Sequence, residues 1–239
     1  MEQVDILTIA AHPDDIELTC AGTLCRMVSQ GYSVGILDLT QGEMGTRGTP
    51  EIRAREAEMA RLKIGARFRE RMNLGDSHLT ASIENRLAVA QMIRKARPKT
   101  VILPYWEGRH PDHYTASTLG YEACFAAGLK QLPLDGEPHR PKKILYASIY
   151  YWDVSPSFVV DISPYFDQKL QAINCFASQF SGDMRPITEL YPAWGRVIDR
   201  VTTQCKYYGH VIGTEYGEPF VVKEPMAVDD IVTISVDSI

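Results

Sequence analysis

The sequence predicts an α/β protein: a Rossmann-like, mostly parallel sheet with helices on both faces and an active site at the C-terminal ends of the strands. Three observations carry that prediction. Apolar runs of strand length alternate with stretches of helical period through the first two thirds of the chain, which is how a parallel sheet covered on both faces is encoded. The runs are near-continuous, as strands buried on both sides require. Two of them, Ile6 to Ala10 and Thr100 to Pro104, empty directly into loops that carry histidine and aspartate, and such sheets bind ligands outside the carboxyl ends of their strands.

Taken in order, Val4 to Ala10 is the first strand. Glu17 to Gln30 follows as a helix, with Leu18, Ala21, Leu24, Cys25 and Val28 at helical spacing and Gly31 at its end. Val34 to Leu39 is the next strand, and it opens into a glycine-rich loop from Gln41 to Gly48. Thr49 caps a helix with Pro50 at its first position, where the missing N–H costs nothing, and Gly65 closes it after Ile64. Glu84 to Ala96 and Ala116 to Ala127 read as helices on either side of the strand at Val101. Ile144 to Tyr150 and Phe158 to Ile162 read as later strands, with helices near Tyr165 to Phe180 and Pro192 to Tyr208. The tail after Gly209 is strand-like. Lys130 to Lys143, with Pro133, Gly136, Pro138 and Pro141, is a surface excursion.

With 239 residues, 45% hydrophobic and 23% charged, the chain is expected to form one domain over residues 1–239. A net charge of −5 argues against a nucleic-acid partner, which asks for a basic face. No run approaches the roughly 18 apolar residues of a membrane span, and the N-terminus lacks the features of a signal peptide. A cytoplasmic protein is expected. The five cysteines are an odd number without Cys-x-x-Cys spacing, so they read as reduced core residues.

The chemistry lies in Ala11-His12-Pro13-Asp14-Asp15-Ile16-Glu17 and Arg109-His110-Pro111-Asp112-His113. His12 and Asp15, three apart on one tight loop, can take adjacent corners of a tetrahedral zinc site, and His113 can supply the third. Two histidines and one carboxylate leave a corner open, the mark of a catalytic site and not a closed structural one. Asp14 is then placed as general base. His110 stands opposite as a cation that stabilises an oxyanion and protonates the leaving amine, with Asp112 holding its ring. A plainer reading has Asp14 and Asp15 as caps of the helix beginning near Ile16.

Those two motifs resemble the LmbE-like, or PIG-L, zinc-dependent deacetylases, which remove acetyl groups from N-acetylglucosamine conjugates. The likeness spans most of the chain. The segment from Leu37 to Thr49, followed by Arg53-Ala54-Arg55-Glu56, is similar to the bacillithiol-pathway branch, whose substrate is N-acetylglucosaminyl-malate. Carried over position by position, the resemblance makes His12, Asp15 and His113 ligands of one zinc per chain, Asp14 the base, and His110 with Asp112 the acid and its orienting carboxylate. It also implies a homo-oligomer, often a hexamer, and an aromatic hydroxyl from the C-terminal third, for which Tyr191 is nearby and Trp194 a departure.

The two carboxylates of malate suit guanidinium groups. Arg53 and Arg109 are therefore expected to bind substrate, with Glu43 as a sugar-hydroxyl acceptor. Trp106 and Trp152 are candidate pocket walls, and His210 a candidate to reach the cleft. The predicted activity is metal-dependent hydrolysis of the acetamide of N-acetylglucosaminyl-malate; another N-acetylglucosamine conjugate or a chito-oligomer presents the same amide. Fe²⁺ or Co²⁺ fits the same ligand types. An Fe(II) facial-triad oxygenase is a rival that the alternating α/β pattern disfavours. A sugar- or nucleotide-binding module is another, which leaves Asp14 and His110 without purpose.

Overall fold

A computed structural model describes residues 2–149, 153–180 and 195–234. Among them the elements run β1 (Ile6–Ala10), α1 (Asp15–Thr19), α2 (Ala21–Ser29), β2 (Val34–Asp38), α3 (Pro50–Ile64), β3 (Phe68–Arg71), α4 (Ile83–Ala96), β4 (Thr100–Pro104), α5 (Pro111–Ala127), β5 (Lys143–Ala147), β6 (Phe158–Asp161), α6 (Phe166–Asn174), α7 (Ala177–Phe180), α8 (Gly195–Val211) and β7 (Gly217–Val221). One sheet carries the strands in the order β3-β2-β1-β4-β5-β7-β6. β3 through β5 pair in parallel. β7 is antiparallel to both its neighbours.

The pleat of β1 sets the two cores. Leu7 and Ile9 point to one face, where they join Leu37, Val101 and Leu103 beneath α4 and α5. Ile6 and Ala10 point to the other, with Ile16, Leu24, Val34, Ile36 and Ile64. The sheet order reverses between β1 and β4, whose chains leave the sheet on either side of a crevice. That crevice receives His12 and His113.

Helix α3 is capped as its sequence requires. Thr49 Oγ1 accepts from Ile52 N–H, Pro50 opens the first turn, and Gly65 closes it at φ 83°. Helix α5 begins five residues before its expected start, because Pro111 occupies its first turn and the His110 ring caps it, Nδ1 accepting from Asp112 N–H at 3.2 Å.

Two departures have physical causes. The single helix expected over 17–30 is broken at Cys20 into α1 and α2. The groups freed at the break are held from far along the chain: Glu218 accepts from Gly22 N–H (3.1 Å) and Thr23 N–H (2.7 Å), while Lys169 Nζ donates to Leu18 O (2.9 Å) and to Glu218 Oε1 (2.7 Å). Both side chains are wholly buried. Lys169→Ala strands a buried carboxylate, and denaturant titration is expected to show a loss of about 3–5 kcal/mol; a loss below about 1 kcal/mol would refute the assignment.

The second departure is β3, absent from the sequence reading. Phe68-Arg69-Glu70-Arg71 has no apolar run, because only Phe68 packs on the core from one face and the side chain buried on the other is Arg69. That guanidinium meets Glu17 at 2.6 Å and Asp38 at 2.7 Å, all three side chains being at most 2% exposed. A buried cation between two carboxylates replaces hydrophobic contact here.

Candidate metal and catalytic site

Four strand exits build the site. Loop 11–14 joins β1 to α1, whose first residue is Asp15; loop 39–49 leaves β2, loop 72–82 leaves β3, and loop 105–110 joins β4 to α5. His12, Asp15, His110 and His113 come together as the sequence implies. His12 and His113 have ring centroids 5.4 Å apart, and His110 lies 4.8 Å from each. The Asp15 carboxylate spans the two expected ligand histidines, Oδ2 at 3.4 Å from His12 Nδ1 and Oδ1 at 3.1 Å from His113 Nε2. Oδ2 also accepts from His12 N–H at 2.9 Å, which locks the loop around it. A small apolar cavity, with Ile9, Ile16, Ile102 and Leu103 in its wall, lies behind Asp15 and His113. It keeps the dielectric low on that side.

The charge balance points to a cation. His12 Nε2 faces Asp112 Oδ2 at 3.1 Å and Asp76 Oδ1 at 3.3 Å, while Nδ1 faces Asp15. Burial opposes charging this ring, yet hydrogen bonds to Asp112, Asp15 and Asp76 carry its pKa up to about 12. Without a metal a proton on Nδ1 must separate the ring from Asp15; a divalent ion fits the same place. Donor atoms of His12, His110 and His113 also converge, as do those of His12, Asp76 and Asp112.

Asp14 does not touch the histidines through any described bond. Its backbone sits at φ 112°, a conformation rare outside glycine that costs roughly 1–3 kcal/mol and marks functional loops. The strain turns its carboxylate toward Arg53, whose guanidinium lies 3.0 Å from Oδ2. Burial raises the Asp14 pKa to about 7 against the pull of Arg53, and Asp15 adds to the rise. Asp14→Gly is expected to keep a higher thermal midpoint than Asp14→Ala in the metal-free protein, because both lose the partner of Arg53 and only glycine relieves the backbone strain. Equal midpoints in the two variants, or a lower one for Asp14→Gly, would contradict a strained Asp14.

Four expectations, for Arg53, Glu43, Asp112 and His110, are revised by the geometry. Arg53 is not an open carboxylate clamp: it is 4% exposed and donates to Pro13 O, Gly42 O and Asp14. Gly42, at φ 67°, is what lets it pass, since a Cβ there would lie 1.9 Å from the guanidinium. Gly42→Ala is therefore expected to displace Arg53 and lower turnover at least roughly tenfold through the misplaced Asp14, with wild-type turnover as the contrary result. Glu43 holds backbone, its Oε2 accepting from Gln41 N–H at 3.0 Å and its Oε1 from Asp76 N–H at 2.8 Å, so its oxygens are engaged within the loops. Asp112 reaches His110 only with its backbone N–H; its carboxylate goes to His12 and to Ser77 N–H at 2.7 Å.

The bond from Asp112 N–H to His110 Nδ1 sets the His110 tautomer. Nδ1 accepts, so a neutral ring presents Nε2–H to the cleft. Burial lowers the His110 pKa, and the neighbouring His113 and His12 rings lower it further. A neutral hydrogen-bond donor is favoured over the expected cation. Arg109 is exposed beside it.

Trp106 packs on Tyr105 and Tyr146 as part of the core margin, and His210 sits exposed in the last turn of α8. Trp152, Tyr191 and Trp194 lie outside the described residues. Sequence reasoning missed Asp76, which follows the unrecognised β3; the segment Leu74-Gly75-Asp76-Ser77-His78 is the signal that a strand there would have made legible.

The PIG-L family, described as GlcNAc-PI de-N-acetylase, matches residues 7–124. The chain is 32% identical over 230 residues to the diacetylchitobiose deacetylase of Thermococcus kodakarensis, covering 89% of this chain and 80% of the relative. It belongs to the PIG-L family. The crystal structure of the conserved protein TT1542 from Thermus thermophilus, at 40% identity, superposes with a TM-score of 0.85 over 95% of this chain and 97% of that one. A Bacillus anthracis protein named "Probable N-acetyl-alpha-D-glucosaminyl L-malate deacetylase 2" is 27% identical over 77% of this chain and 84% of its own. The PIG-L match takes in both histidine loops, loop 39–49 and Asp76. Among the described residues no helix is long and apolar enough to cross a membrane.

Proposed function

We propose that this chain is a divalent-metal-dependent hydrolase that removes the acetyl group from an N-acetylglucosamine conjugate. The observation that carries the reading is the Asp15 carboxylate bridging the two histidines at the crevice between β1 and β4, Oδ2 3.4 Å from His12 Nδ1 and Oδ1 3.1 Å from His113 Nε2. Two imidazoles and a carboxylate suit zinc and leave a position for substrate. Bound there, the ion would act as a Lewis acid on the acetamide carbonyl and make a water a stronger nucleophile near neutral pH.

The chain's own residues do the rest. Asp14, raised toward neutrality and steadied by Arg53, takes a proton from the attacking water and returns it to the nitrogen as the C–N bond breaks. Amide plus water thus become amine plus acetate. His110, capping α5, offers Nε2–H to the carbonyl oxygen as negative charge develops there. Asp112 serves His12, not the His110 ring.

For the aglycone we favour malate, because the segment from Leu37 to Thr49 resembles the bacillithiol branch; Arg109, exposed beside His110, is the cation assigned to its carboxylates. A chito-oligosaccharide is supported by the Thermococcus relative. Acetate release from N-acetylglucosaminyl-malate, diacetylchitobiose and free N-acetylglucosamine, measured with zinc present, tests both levels. No release from any of them defeats the deacetylase reading, while a preference for chitobiose defeats only the malate assignment. With the malate conjugate preferred, Arg109→Ala is expected to raise its KM roughly tenfold or more while sparing free N-acetylglucosamine.

A further inference from the structure

Asp76 has no part in the chemistry above, yet it is buried against a ligand. Its Oδ1 lies 3.3 Å from His12 Nε2, with the side chain 7% exposed. Its Oδ2 accepts from Met44 N–H at 2.9 Å, and its own N–H donates to Glu43 Oε1, so loops 39–49 and 72–82 clasp each other on either side of it. The same His12 nitrogen meets Asp112 Oδ2, which is fixed in turn by Ser77 N–H. A ring nitrogen facing two buried carboxylates carries hydrogen, which leaves the other nitrogen's lone pair for a metal.

We propose that Asp76 is a positioning residue for the metal: with Asp112 it fixes His12 as the Nε2–H tautomer and turns Nδ1 toward Asp15. The inference rests on the deacetylase reading only for the place of the cation. A merely structural Asp76 would act through the loop clasp alone, and substitutions separate the two roles. Asp76→Asn keeps a side-chain oxygen for Met44 N–H but sets an amide against His12; Glu43→Gln loosens the clasp without touching His12.

The test is zinc affinity, by competition with a chromophoric chelator on the full chain. Asp76→Asn is expected to raise the zinc dissociation constant roughly 10–100-fold, with the metal-free thermal midpoint close to wild type. Glu43→Gln is expected to stay within about threefold of wild type, since it leaves the ligand's partner in place. Should Asp76→Asn not fold, Asp76→Ala is held to the same criterion. Wild-type affinity in the Asp76 variant, or equal losses in the Asp76 and Glu43 variants, overturns the proposal. If wild type binds zinc and Asp76→Asn weakens it, but no N-acetylglucosamine conjugate is hydrolysed, the deacetylase reading fails and this inference stands. If wild type hydrolyses its substrate and the Asp76 variant binds zinc normally, the inference alone fails.

Discussion

Alanine in place of His113 is expected to yield a folded protein that retains no zinc through dialysis and releases no acetate from any N-acetylglucosamine conjugate. His113 stands on the first turn of α5 with Nε2 3.1 Å from Asp15, so its removal deletes one of three proposed ligands without opening the main core. Outer partners of a ligand are worth roughly 10–100-fold in metal affinity, and a ligand itself more. His12→Ala is expected to do the same. It also leaves Asp15, Asp76 and Asp112 facing one another without the imidazole between them, so its thermal midpoint at neutral pH is expected to fall below that of His113→Ala. Metal analysis and circular dichroism on the dialysed variants read both effects. Stoichiometric zinc in either variant would contradict the ligand assignment.

Asp14→Asn should separate metal binding from turnover. Asparagine tolerates the positive φ that Asp14 adopts and keeps its shape, so the loop and the ligands on either side of it stay in place. What is lost is proton transfer, a contribution of roughly 10²–10⁴ in rate. The variant is therefore expected to bind zinc as wild type does while kcat falls by about that factor, with KM little changed. Full turnover would remove Asp14 as the base. Loss of zinc would instead make it part of the cation's support.

The first and fourth strands and their histidine loops were legible because each is an apolar run ending abruptly in ligand-type side chains, a local pattern that needs no partner to be read. The caps of α3 were legible for the same reason. The third strand was not, since its buried residue is Arg69 and its partners Glu17 and Asp38 lie 52 and 31 positions away. Missing that strand concealed Asp76. The break at Cys20 was illegible because Lys169 and Glu218, which satisfy it, are about 150 and 196 residues downstream. Arg53 was placed on the right helix but facing the wrong neighbour: its first-turn position fits a substrate clamp equally well, and only Gly42 and the Asp14 loop draw it inward. The antiparallel insertion of β7 between β5 and β6 depends on long-range pairing that no local pattern records.

The most direct test is the position of the ion. Crystals grown with zinc and measured at its absorption edge are predicted to show one strong anomalous peak per chain, bonded to His12 Nδ1, Asp15 and His113 Nε2, with Asp14 and His110 on its open side. A peak seated among His12 Nε2, Asp76 and Asp112 instead, or no peak between the two histidine loops, would contradict the account.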